Sequence, residues 1–471
     1  MQKKQTKIVA TISSKNCSPE FIRSLHEAGM DVVRLNTAHM DEVATLKVVN
    51  NVRKVSDRIA LLLDTKGPEI RTHATAEEIL LKMGDVIRFV GSEGDELCTR
   101  EMVYLNYAHF VRDVPEGTSV LIDDGELELK VVKRHKTYLL CQAMNDGEIK
   151  SNKSVNIPDV HIDLPSLSKK DRSYIQFAIK HDLDFIAHSF VRNKEDILVI
   201  QRILDKQKSR IKIIAKIENR EGVENLDEIL DHAYGLMVAR GDLGIEIPAE
   251  EIPLIQKMMI KKCIARHKPV ITATQMLHTM IKNPRPTRAE VSDVANAILD
   301  GTDAIMLSGE TANGDYPVEA VKIMVKIASQ VETNTENRDR MPVFKDEQAI
   351  NNFLAKSAVI AARELDIKEI IVCTSSGFSA EVIASYRSRV PMYVKCYDKR
   401  VARELSLTYG LNAHYVKQEG NPTKFLRQLL GSLYRQGKLA KEDKVVYLTG
   451  DTENNALANF MVICEVGKYV K

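Results

Sequence analysis

The sequence predicts an α/β protein: a (β/α)₈ barrel, a small β domain inserted after its third strand, and a further α/β domain toward the C-terminal end. Three observations carry this reading. Short β-rich runs alternate with stretches of helical period. Between the third and fourth of these runs the helical period disappears, and apolar and polar residues alternate instead. After Met341-Pro342 the strand and helix alternation begins again. At 471 residues the chain is too long for one core and divides into domains.

The barrel strands are expected at 7–12, 32–35, 60–63, 185–188, 212–215, 235–238, 269–272 and 304–307, eight runs whose count matches a TIM barrel. Helices are expected between them, among others at 18–28 and at 168–180, the latter opened by the capping-box pattern Ser168-Lys-Lys-Asp171. Within the insertion, 86–90, 119–122, 126–132 and 137–141 read as antiparallel strands of a small β-barrel, with turn signals at Asp124-Gly125 and Asp146-Gly147. An insertion at the top of a barrel can cover an active site and exclude water, so it is read as a lid. In the C-terminal part a helix at 352–365, strands at 369–373, 392–396 and 444–448, and a helix at 381–388 form a second α/β unit. The expected division is 1–68 with 166–342 for the barrel, 69–165 for the lid and 343–471 for the C-terminal domain. No low-complexity segment or short repeat interrupts it.

Composition excludes several classes. With 67 basic and 65 acidic residues the net charge is +2, and nothing in the bulk electrostatics favours nucleic acid or an anionic membrane. No stretch approaches the roughly 20 apolar residues of a membrane helix, and the apolar run after Lys7 is too short for a secretory signal. Seven scattered cysteines without a Cys-x-x-Cys pair fit small buried residues in a reduced cytoplasm.

Two carboxylates, Glu218 in Ile213-Ile-Ala-Lys-Ile-Glu218 and Asp242 in Met237-Val-Ala-Arg-Gly-Asp242, each follow an apolar strand-like run. Ligands of a parallel barrel gather where its strands end, so both are expected to face one pocket. Such a pair suits Mg²⁺, which completes its shell with water and substrate phosphate. Lys216 projects to the same side as Glu218, two residues away. A metal and an ammonium together imply an anionic, phosphorylated substrate, although Lys216 and Glu218 also fit a structural ion pair at a strand end. Arg34 and Arg71 end the second and third strand motifs, and forked guanidinium groups match phosphate. Gly241 and Asp242 open a possible helix whose backbone N–H groups could hold a substrate carboxylate. The turn carrying Thr374, Ser375, Ser376, Gly377 and Ser379 precedes a helix and reads either as an anion site or as an ordinary capped glycine turn.

Four motifs occur in order: Asp64-Thr-Lys-Gly-Pro-Glu-Ile-Arg-Thr72, the Lys216 segment, Thr272-Ala-Thr-Gln-Met-Leu277 and Met306-Leu-Ser-Gly-Glu-Thr311. Together they closely resemble pyruvate kinase, from about Thr6 to the C-terminal part of the chain. The resemblance implies phosphoryl transfer from phosphoenolpyruvate to ADP, giving pyruvate and ATP in glycolysis. In that frame Lys216 stabilises the transferring group, Glu218 and Asp242 hold Mg²⁺, Arg34 binds substrate phosphate, and Thr274 stands beside the enolate carbon and relays a proton. Asn36, His39, Arg71 and Lys153 fall on the nucleotide side. Asn36, Asp64 and Thr65 match a K⁺ site, and Glu69 matches the K⁺-requiring form of the enzyme. Ala38 replaces the serine that completes this site, so a water takes its place or K⁺ binds weakly. Thr374, Ser375, Ser376 and Ser379 match a sugar-phosphate effector loop, but Thr449-Gly-Asp-Thr-Glu-Asn-Asn455 is acidic where the family often carries basic groups. Such a loop favours a monophosphate or no effector.

Ile12-Ser-Ser-Lys15 replaces the common Ile-Gly-Pro-Ala beside the nucleotide, leaving base preference open. With Lys471 as the last residue, the extra C-terminal domain of some bacterial members is not expected. The family is usually a cytoplasmic homotetramer. Two other readings stay open on the residues: a weak relative that binds metabolites, motivated by Ala38, Met40 and Ser13-Ser14, and a Mg²⁺-dependent lyase acting on a pyruvate-like substrate.

Overall fold

The computed structural model describes residues 4–333, 350–417, 422–450 and 458–470. Eight strands, Lys7–Thr11, Val32–Asn36, Ala60–Asp64, Phe185–His188, Lys212–Ile217, Gly235–Ala239, Val270–Ala273 and Ala304–Leu307, pair in parallel and close into a barrel in sequential order. All eight expected strands are present. They are buried on both faces. Val9, Leu62, Phe185, Ile214, Met237 and Ile271 fill the interior, while the alternate residues Ile8, Leu61, Ile186 and Ile213 pack under the outer helices. That two-sided burial explains their continuous apolar text.

Local signals set the helix ends. Ser18 caps Pro19–Ala28 by accepting from the Phe21 amide, and Gly29 ends that helix at φ 124°. The capping box at Ser168 and Asp171 opens Lys169–Lys180 as expected.

The chain leaves the barrel after Asp64 and builds the insertion before Lys169. Seven strands form one curled sheet whose outermost strands, Ile70–Arg71 and Met102–Leu105, meet at a single bridge between Thr72 and Leu105. The sheet is mixed rather than wholly antiparallel, because Val86–Gly91 runs parallel to Met102–Leu105. The short strands Ile79–Leu81, Gly147–Ile149 and Ser154–Asn156 add to the expected set. They are too brief to show an alternation by themselves.

The C-terminal domain is a five-stranded sheet ordered Leu411–Tyr415, Met392–Cys396, Ile367–Thr374, Lys444–Gly450 and Ala458–Glu465, with the last strand antiparallel. The first and last of these strands escape the sequence reading. The helices at Ile350–Glu364 and Phe378–Ser385 lie near their expected places. The expected boundary at Met341-Pro342 and most of the acidic loop ending at Asn455 lie outside the described residues.

This domain seats on the barrel's lower end. Leu407 enters the barrel's interior cluster. Arg403 Nε donates to Asp184 at 2.6 Å, Arg387 Nη1 to Asp303 at 2.7 Å, and Lys7 Nζ to the Leu411 carbonyl at 2.5 Å.

Candidate active site

Strand alternation builds the upper layer of the barrel. Val9, Val32, Leu62, Ala187 and Ile214 point inward, so Thr11, Arg34, Asp64, Ser189 and Lys216, two residues further along, point inward at the C-terminal ends of five successive strands. Their side chains meet. Arg34 Nε donates to Asp64 Oδ2 at 2.6 Å, and Arg34 Nη1 to Thr11 Oγ1 at 3.0 Å. Lys216 Nζ stands 3.1 Å from Asp64 Oδ1, 2.9 Å from Glu218 Oε1 and 2.6 Å from Ser189 Oγ. Ser189 Oγ donates in turn to the Thr65 carbonyl at 2.7 Å.

Charge follows from this geometry. Burial pushes the Asp64 carboxyl up, but Lys216 and Arg34 outweigh it and hold the group below the usual range. Burial pulls Lys216 down, and Asp64 and Glu218 outweigh it, so the ammonium stays charged. Glu218 is pushed up to about 7 by burial, with Asp242 adding to the rise and Lys216 opposing it. Asp242 is raised as well, again by burial first, and it shares a side-chain hydrogen bond with Glu218. A buried carboxyl and a part-buried one in contact, both displaced toward the protonated form, make a site that a cation relieves. Among the described residues no group of three or more His, Cys, Asp or Glu side chains converges as a metal centre. A divalent ion here would therefore share its shell between this pair and oxygens of water or substrate, which is how Mg²⁺ is bound.

The loops above the strands complete the floor. Phe190, at φ 54°, donates its amide to Glu218 Oε2 at 2.7 Å. Thr274 and Gln275 sit at φ 66° and 53°, a conformation strained for a β-branched residue and one that gathers at functional sites. Arg240 holds that turn, donating to the carbonyls of Ala273 and Thr274 at 3.2 and 2.8 Å while forked onto Asp293. Thr274 Oγ1 accepts from the Gly241 amide at 2.8 Å and donates to the Ala273 carbonyl at 2.7 Å. The Gly241 N–H is thus engaged, and the Asp242 amide is the next donor along the opening turn of the helix Arg240–Glu246.

The other expected residues are dispersed. Asn36 Oδ1 accepts from the Ala38 amide at 3.1 Å, and Thr65 Oγ1 accepts from the Ser189 amide at 3.1 Å. Asn36, Asp64 and Thr65 do not form a trio free of cations, because Arg34 and Lys216 both lie on Asp64. His39 is exposed. On the lid side Arg71 is tied to Glu69 at 2.6 Å and to the Asn152 carbonyl at 2.5 Å, and Lys153 is paired with Asp123 at 2.8 Å. In the C-terminal domain Thr374 Oγ1 accepts from the Gly377 amide, Ser376 Oγ from Phe378 and Ser379 Oγ from Ala458. Ser375 is part-buried beside them.

The chain matches the model of the pyruvate kinase barrel domain over residues 3–321 and that of the pyruvate kinase alpha/beta domain over residues 352–464. It belongs to the pyruvate kinase family. Among similar proteins, a pyruvate kinase of Borreliella burgdorferi is 48% identical, the match covering 97% of this chain and 95% of that protein. One of Geobacillus stearothermophilus is 44% identical over 95% of this chain and 78% of that protein. The crystal structure of a pyruvate kinase from Cryptosporidium parvum superposes with a TM-score of 0.91 at 36% identity, covering 98% of this chain and 96% of that one. The chain is accordingly a phosphotransferase that carries the phosphoryl group of phosphoenolpyruvate to ADP, the glycolytic reaction of pyruvate kinases. Among the described residues no helix is long and apolar enough to cross a membrane.

Sequence reading missed Ser189, Thr11, Phe190 and the Arg240–Asp293 pair. Ser189 and Thr11 were within reach, since each follows an inward apolar residue by two places. The other contacts had no local signal.

Proposed function

We propose that Lys216, Glu218 and Asp242 carry the phosphoryl transfer, Glu218 and Asp242 being the residues that would hold Mg²⁺. The observation that supports this most strongly is the Lys216 ammonium, buried and kept charged beside Asp64, Glu218 and Ser189. A preorganised cation in a dry site stabilises charge as it develops on a transferring phosphoryl group or on the enolate left behind. When bound, the metal supplies further charge neutralisation on the phosphate oxygens. Arg34, fixed by Asp64 and Thr11, presents the rest of its guanidinium to substrate phosphate. The Asp242 amide at a helix start favours the substrate carboxylate. Thr274 is the proton relay to the enolate carbon, which requires its hydroxyl to turn away from the Ala273 carbonyl.

On the nucleotide side we assign Asn36, His39, Arg71 and Lys153, with the lid bringing the last two over the barrel. Exchange of Glu69 and Asp123 for ADP phosphates is the expected consequence. K⁺ is assigned to Asn36, Asp64 and Thr65 without a hydroxyl at position 38. The segments 1–68 with 166–342, 69–165 and 343–471 act as catalytic, lid and effector units, and Thr374, Ser375, Ser376 and Ser379 receive the sugar phosphate. Membership of the family favours a homotetramer of a cytoplasmic enzyme, and Ile350 and Phe353 are exposed apolar residues available for association.

The test is ATP formation from phosphoenolpyruvate, ADP and Mg²⁺, with K⁺ and then Na⁺ as the monovalent cation, on the parent chain and on Lys216→Met. The expected outcome is K⁺-dependent turnover that drops by about 10² to 10³ in the variant. Near-parental turnover by Lys216→Met removes the assignment, and equal rates in the two salts remove the K⁺ site.

A further inference from the structure

We propose that Arg192 is a positioning residue for the transfer, a clamp that fixes the returning segment of the lid hinge against the loops carrying the metal carboxylates. The lid joins the barrel through two crossings. The outgoing one is held where the Lys66 amide donates to Asp171 Oδ1 at 3.0 Å. The returning one is held by Arg192, whose Nη1 donates to the Ile162 carbonyl at 3.1 Å and Nη2 to the Leu164 carbonyl at 2.9 Å. The guanidinium is itself braced by Asp196, through Nε at 3.1 Å and Nη2 at 3.1 Å.

Instead of a packed core, a cavity of about 470 Å³ lies between Ile70 and Ile157 of the lid and Phe190 and Arg192 of the barrel. Directional bonds, not close packing, therefore set the lid's position. Two other pairs cross the joint, Arg220 with Asp159 at 3.0 Å and His161 with Glu221 at 2.9 Å. Asp159 and His161 are 72% and 65% exposed, so both pairs compete with water and salt. The side chains of Arg192 and Asp196 are only 17% and 5% exposed. A lysine has no planar fork and could not hold both carbonyls and the carboxylate at once.

The clamp also reaches the chemistry. Arg192 follows Phe190, whose amide holds Glu218, by two residues. The Arg192 carbonyl receives Asn225 Nδ2 at 3.1 Å, and Asn219, next to Glu218, donates to the Val191 carbonyl at 3.4 Å. Lid position and carboxylate position are thus set by one short segment.

The inference rests on the assignment of Arg71 and Lys153 to the nucleotide. Its test is steady-state kinetics of Arg192→Met and Arg192→Lys with amide hydrogen exchange on each. Expected for Arg192→Met are a KM for ADP raised about tenfold, a kcat lowered about tenfold and a KM for phosphoenolpyruvate within about twofold of the parent. Arg192→Lys should fall between, and amides of 159–164 should exchange faster while those of the barrel strands do not. Unchanged kcat and ADP KM overturn the inference, as does a kcat that falls only in step with the folded fraction. If Arg192→Met does not fold, Arg192→Lys, which keeps the charge beside Asp196, must show the same split. Lys153→Gln separates the two ideas: an unaltered ADP KM there removes the nucleotide assignment, while the exchange data still decide the clamp.

Discussion

The barrel has two joints, and they are built in opposite ways. At its lower end the C-terminal domain inserts Leu407 into the barrel's core and sets Arg403 and Arg387 against Asp184 and Asp303, which are almost wholly buried. At its upper end the lid hangs from two crossings beside a cavity of about 470 Å³. Buried, hydrogen-bonded ion pairs are expensive to break, because a lost partner strands a charge away from water. A joint with unfilled volume and a few directional bonds can open at small cost, which is what admission of a nucleotide requires. With the insertion acting as the proposed lid, one end of the scaffold stays and the other moves.

Variants at each joint should separate these properties. The largest effect on stability is expected from Arg403→Met, which takes from buried Asp184 its 2.6 Å partner and leaves Arg53 at 3.1 Å. A loss of about 3 kcal/mol by urea unfolding is expected, with the KM values of the folded protein unaltered. A variant as stable as the parent would mean that the lower joint is no firmer than the upper. Next comes Gly67→Ala in the outgoing crossing. Gly67 has φ +75°, and an added Cβ would lie 2.7 Å from the Phe190 ring and 2.9 Å from Ser189 Cβ. The backbone strain costs about 1 to 2 kcal/mol. Because Phe190 holds Glu218 and Ser189 holds Lys216, kcat should fall about tenfold. Unchanged turnover would show that the crossing and the chemistry are uncoupled.

The smallest effect concerns pH. Glu381 accepts from the Tyr234 hydroxyl at 2.5 Å across the lower joint. Burial pushes its carboxyl up to about 7, with Glu404 and Asp303 adding to the rise and Tyr234 and Lys212 opposing it. The folded form then keeps a proton that the unfolded chain gives up at lower pH, so the group costs stability progressively as pH rises through that interval and in full above about 7. Glu381→Gln should match the parent near pH 4 and be the more stable of the two at pH 8. A gap that is the same at both pH values would place the Glu381 carboxyl in its usual range.

Much of this was legible beforehand, for reasons visible in particular residues. Strand 212–217 announces itself by Ile213, Ile214 and Ile217, and its period of two aims Lys216 inward without any knowledge of the fold. Ser168 and Asp171 write their capping box within four residues. The lid was harder. Ile70–Arg71 has two residues and no pattern, and the parallel pairing of Val86–Gly91 with Met102–Leu105 is a choice between partners that neither strand encodes. The cations around Asn36, Asp64 and Thr65 were hidden for a similar reason. Arg34 and Lys216 are distant in sequence from Asp64 and become its neighbours only when the barrel closes.

The sequence by itself determined the eight strands and their helices, the insertion, and the presence of Lys216, Glu218 and Asp242 at strand ends, because periodicity and capping are local properties. The tertiary structure alone decided that Ser189 supports Lys216, that Thr274 sits at φ 66° under Arg240, and that Arg192 grips the lid. Each of those contacts joins loops from different strands, and only closure of the barrel brings such loops within the reach of a hydrogen bond.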